Sequence, residues 1–141
     1  MRFDLRRPCP ECPFTTGPRA VRGLHPARVR ELAEGARSWQ GQTFACHKTV
    51  DYSRTDEDGH TPGGPREQHC AGALIFSIAG GYSTQMMRIA ERLRLFNPDA
   101  LLEDPAVVRS VYGSVEEMIR GHEIMVPPQR EEARSIVVKP V

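Results

Sequence analysis

At 141 residues the chain has the length of one domain, and with 39% apolar and 26% charged residues it is too polar for a membrane protein. Its net charge of +1 hides an asymmetry: residues 1–50 hold nine Lys or Arg against four Asp or Glu, giving +5, and the remaining 10 basic and 14 acidic residues give −4. The longest apolar run, Ala71 to Ala79, is far short of the ~20 residues of a membrane span, and the first eight residues lack the apolar core of a signal peptide, so a cytoplasmic location is expected.

Residues 1–8 read as an extended arm that carries Arg6 and Arg7 up to Cys9. Pro8, Pro10 and Pro13 bracket Cys9 and Cys12, and each proline fixes its own φ and biases the preceding residue away from helix. The pair is therefore expected in a stiff turn. Residues 15–24 read as loop, after which His25-Pro26 opens a helix with proline in its favoured first position and Val29, Leu32, Ala33 and Ala36 on the apolar face. Residues 42–46 are expected as a short strand or extended segment, with Trp39 ahead of it covering the core or the metal site. Residues 51–68 form a polar, Gly- and Pro-rich loop, expected to be mobile. Its Asp56-Glu57-Asp58 lacks the rest of a calcium-loop pattern.

Cys70 then begins an apolar helix, residues 71–79, ended by Gly80-Gly81. Ser83 is the expected cap of a helix over 84–95. Asn97-Pro98 starts a short helix through Glu103, and Asp104-Pro105 starts another through about Val111. Ser114-x-x-Glu117 is a capping box leading into residues 115–121. Residues 135–139 are a β-prone stretch of tail. The expected fold is α+β and mainly helical: one small domain with a cysteine-bearing part (1–80, loop 51–68), a helical part (81–126) and a tail (127–141).

Cys9, Cys12, Cys46 and Cys70 are the only cysteines. In a reducing compartment, four cysteines with one Cys-x-x-Cys pair point to metal or redox chemistry rather than disulfides. Each stands where a turn meets a helix or strand signal, where ligands are usually presented, and a helix start at Cys70 would favour its thiolate. Structural zinc commonly uses two knuckles; here a single knuckle is followed by lone cysteines 34 and 24 positions later. An iron–sulfur cluster, [4Fe-4S], admits ligands from separate elements and is the first expectation, with Zn2+ as the alternative. His47 and His69 adjoin proposed ligands and are candidate substitutes for one thiolate.

At Cys9-x-x-Cys12-Pro13, Cys46-His47-Lys48 and Cys70-Ala71-Gly72 the sequence resembles an uncharacterised family of small bacterial and phage proteins, a domain of unknown function, over roughly residues 8–80. The resemblance implies a shared cysteine framework and no activity. The expected function is a small metal-binding regulatory or interaction protein. Its basic half points to nucleic acid, or a protein that handles it, contacted by Arg6, Arg7, Arg19, Arg22 and Lys48. No catalytic residues are singled out. An enzyme would need an open three-thiolate metal site with His47 or Glu11 as base.

Overall fold

The computed structural model describes residues 2–123; the expected tail lies outside the described residues. They form a small, mainly helical domain of six α-helices: α1 (Pro26–Ala36), α2 (Ala71–Ala79), α3 (Gln85–Arg92), α4 (Pro98–Leu101), α5 (Pro105–Arg109) and α6 (Val115–Glu123). Among the described residues no helix is long and apolar enough to cross a membrane.

Helix α2 is the centre of the fold because its sequence is apolar all round. Every residue from Ala71 to Ser77 is buried, and a helix with no polar face can only be an interior one. Helix α1 is one-sided, with Val29, Leu32, Ala33 and Ala36 buried at the expected spacing. It packs against α2 and, more extensively, α6. Arg37, just after α1, clamps three elements. Its Nε donates to the Phe76 carbonyl at 3.0 Å, its NH2 to Gly113 at 2.9 Å, and its guanidinium lies 3.8 Å over the Phe76 ring.

Three features around α1 and α3 differ from expectation. Thr84, not Ser83, caps α3, its hydroxyl accepting from the Met87 N–H at 3.2 Å. The helix also stops at Arg92, because Arg94 takes the left-handed conformation (φ 59°) with no glycine to announce it. The Leu95 N–H then returns to the Ala90 carbonyl at 2.9 Å, the closing bond of a Schellman-type end. This reversal drops Phe96 into the core, 4.9 Å from the Phe3 ring, and leaves Leu93 and Leu95 exposed. Trp39 is the third difference. It is 58% exposed and covers neither the core nor the cysteines, since the chain leaves α1 along the surface there.

Among the described residues β-structure is reduced to single-residue pairings: Arg2 with Gln68, Ala45 with His69, and Thr15 with Val111. Of the extended segment expected over 42–46, residues 44–46 pair with 68–70, with Ala45 as the bridge residue. The loop after it includes a 3-10 turn, Tyr52–Arg54, and residues 51–60 are all exposed.

Candidate metal centre

The segment 68–70 lies between two extended neighbours. On one side the Cys46 N–H donates to the Gln68 carbonyl at 2.8 Å, and the Cys70 N–H to Phe44 at 2.7 Å. On the other side the Arg2 N–H donates to Glu67 at 3.0 Å, and the His69 N–H to Arg2 at 2.8 Å. Antiparallel pairing of 44–46 with 68–70 thus carries Cys46 and Cys70 to the same place.

The remaining two thiols come from consecutive tight turns. The Cys12 N–H donates to the Cys9 carbonyl at 3.0 Å. The Cys12 carbonyl in turn accepts the Thr15 N–H at 3.2 Å and the Thr15 hydroxyl at 2.8 Å. The same turn recurs after Cys46, whose carbonyl accepts the Thr49 N–H and hydroxyl, both at 2.8 Å. Thr49 Oγ1 also accepts the Gln68 N–H at 3.0 Å, joining this turn to the central segment. Cys-x-x-Thr is therefore one local structure used twice. The sequence reading missed both threonines, although their equal spacing from Cys12 and Cys46 was the available signal.

All four cysteines are free thiols, and they meet as two pairs. Cys12 Sγ and Cys70 Sγ are 3.7 Å apart. Cys9 lies near enough to Cys46 and Cys70 for their charges to raise its pKa. Among the described residues no three His, Cys, Asp or Glu side chains stand as a ready-made metal cage. Gly72 makes the approach of Cys12 to α2 possible. A Cβ there would collide with Cys12 Sγ, with Phe14 Cβ at 3.3 Å and Pro8 Cβ at 3.6 Å close behind.

Backbone N–H groups near three of the sulfurs favour their thiolates: that of Glu11 for Cys9, Phe14 for Cys12, and Gly72 with Ala73 for Cys70. Cys70 stands at the cap position of α2 without a side-chain cap hydrogen bond, and the nearby N–H groups act on its sulfur electrostatically. The hydrogen bond from Cys12, helped by the Ala73 and Gly72 N–H groups, lowers the Cys70 thiol to about 7 against the effect of burial. Its partner moves the other way: contact with Cys70 and then burial raise Cys12. Burial, followed by the nearness of Cys46 and Cys70, raises Cys9. Crowded thiols that resist ionising together are what a cation relieves, since metals bind thiolate rather than thiol.

The two candidate substitute ligands point elsewhere. His69, next to Cys70, turns to the opposite side of the extended segment and stacks on Phe3 at 4.0 Å between centroids. It is 4% exposed, and burial lowers its pKa to about 4. His47 is part-exposed, its Nε2 3.8 Å from Glu11 Oε2. Glu11, between Cys9 and Cys12, is engaged by Lys48 at 2.8 Å and Arg19 at 3.5 Å, and the Lys48 hydrogen bond holds its carboxyl below the usual range. The Lys48 contact joins the Cys9–Cys12 turn to the Cys46 turn.

Two of the other basic candidates, Arg7 and Arg22, have partners within the fold. Arg7 pairs with Asp104 at 3.4 Å. Arg22 donates to the carbonyls of Thr16 at 2.6 Å and Gly17 at 3.0 Å, with its Nε buried and unpartnered. Arg6 lines a surface hollow with Phe3, Leu5 and residues 94–98. A second hollow of about 300 Å³ opens beside Cys9, edged by Arg7 and Arg19.

A family model matches residues 4–132, well beyond the span on which the sequence resemblance rested. No curated protein and no solved structure matches the chain.

Proposed function

The chain belongs to a family of unknown function, DUF6283, which carries no activity to inherit, and we propose from its geometry that Cys9, Cys12, Cys46 and Cys70 hold one structural metal centre. The observation that carries this is the meeting of thiols from remote segments, Cys12 and Cys70 at 3.7 Å, with Cys9 and Cys46 near them. Thiolates ~2.3 Å from a tetrahedral zinc stand about 3.8 Å apart, so this pair has the edge length of a zinc site. Zinc is accordingly the first candidate ion. A [4Fe-4S] cluster on the same ligands is the second reading, favoured by the N–H groups aimed at three sulfurs, one means by which proteins set a cluster's potential.

The metal's work in this reading is to staple together parts of the chain that share little regular structure. The molecule is then a binding module rather than a catalyst. Glu11, the candidate base, is committed to Lys48 and Arg19. Arg7, Arg19 and Lys48 are paired with carboxylates, and Arg22 with carbonyls, which weakens the case for a nucleic-acid face. Binding that falls steeply with salt would restore it.

Anaerobic purification with metal analysis and a visible spectrum tests the proposal. The expected result is one zinc per chain, a colourless sample, and four thiols that react with a thiol reagent only after chelation. A brown, iron-containing sample would exchange zinc for the cluster. Metal-free protein with four freely reacting thiols would overturn the metal centre altogether.

A further inference from the structure

His122 is 1% exposed, near the end of α6, and its Nε2 lies 2.9 Å from the Pro13 carbonyl, 109 residues earlier in the chain. A carbonyl can only accept, so the proton of this bond sits on Nε2. Nδ1 is buried with no partner, leaving the ring with one polar contact. That contact is with the residue following a ligand.

The peptide linking Pro13 to Phe14 is planar and trans, so its C=O and N–H point to opposite sides of one rigid plane. His122 holds the carbonyl end. The other end is the Phe14 N–H, a backbone donor two residues beyond Cys12 that favours its thiolate. Rotating this plane moves both bonds together. The next carbonyl along, that of Phe14, is also fixed, accepting the Tyr112 N–H at 3.0 Å. The segment after α5 and the end of α6 therefore grip consecutive carbonyls of the Cys12 turn.

We propose that His122 is a positioning residue for the metal centre: by holding the Pro13 carbonyl it aims the Phe14 N–H at the Cys12 sulfur and so sets how firmly that sulfur binds the metal. The proposal rests on the metal-centre reading above. It gives the C-terminal helix a function at a site to which it contributes no ligand. Outer partners of this kind typically govern metal affinity by ~10–100-fold.

The test compares wild type with H122F, which fills the space without a donor, and H122Q, which restores an N–H near the position of Nε2. Each protein is loaded with zinc, and metal release to a chelator is timed. Release from H122F is expected to be at least about 10-fold faster than from wild type, with H122Q in between. In cobalt-loaded protein the thiolate-to-metal absorption band should shift in H122F and return towards wild type in H122Q. In cadmium-loaded wild type, independently of any variant, the Phe14 amide proton should show coupling to the metal through the N–H···S bond. Equal release rates and an unmoved band, or absence of that coupling, would overturn the role of His122 while leaving the metal centre standing. Failure of wild type to hold any metal would overturn both, and is read separately from the metal content.

Discussion

Cys70→Ser should cost the protein its metal and most of its stability in the metal-loaded state. The substitution is informative because of where Cys70 stands. It occupies the cap position of α2, where serine is among the best residues, so the helix loses nothing by the change. What disappears is a thiolate 3.7 Å from Cys12. Loss of a ligand should exceed the ~10–100-fold typical of an outer partner; a 100-fold loss of affinity corresponds to about 2.7 kcal/mol. Thermal unfolding with and without chelator separates the contributions. Loaded wild type should melt well above loaded C70S, and the two should melt together once stripped. A difference that persists in the stripped proteins would mean that Cys70 acts through packing alone.

Gly72→Ala should be nearly as damaging, against the usual preference for alanine. Within a helix, glycine is disfavoured relative to alanine by ~1 kcal/mol. Here the added methyl meets the sulfur of Cys12, a 1% exposed side chain in a turn stiffened by Pro10 and Pro13. Overpacking of this kind costs typically 1–3 kcal/mol, and the displaced sulfur is also lost to the metal. Gly35→Ala in α1 is the matched control, since its methyl would meet only the end of the exposed Gln42 side chain, at 3.0 Å. Urea titration should show G72A destabilised and G35A neutral or stabilised. Equal behaviour of the two would refute the close approach of Cys12 to α2.

These two positions also show what local sequence can reveal. Residues 71–79 announce an interior helix through composition alone, and the small start Ala71-Gly72-Ala73 signals a close approach without naming Cys12 as the neighbour. The apolar face of α1 is legible for the same local reason. The cysteines are legible as a set from their number and turns, but their division into Cys12–Cys70 and Cys9–Cys46 depends on long-range pairing of 44–46 with 68–70. Where the determinant is remote, local reading fails. His122 reads only as a helix end until α6 is docked against the Cys12 turn. The stop at Arg94 carries no glycine, because the driving force is burial of Phe96 rather than a local turn preference. Trp39 misleads in the opposite sense, as a large aromatic left at the surface.

The central placement of residues 68–70 has a consequence in time. His69 and Cys70 are aligned through backbone bonds to Arg2 and Phe44, and the Cys12 turn is gripped by Tyr112 and His122. Contacts so distant in sequence form slowly, because each must close a long loop before it gains anything. During synthesis Cys9 and Cys12 leave the ribosome about 110 residues before the helix that braces them, and on this account remain open to oxidation until most of the chain has emerged. Pulsed thiol labelling of stalled nascent chains should find Cys12 reactive when synthesis stops at residue 100 and shielded once α6 has cleared the exit tunnel.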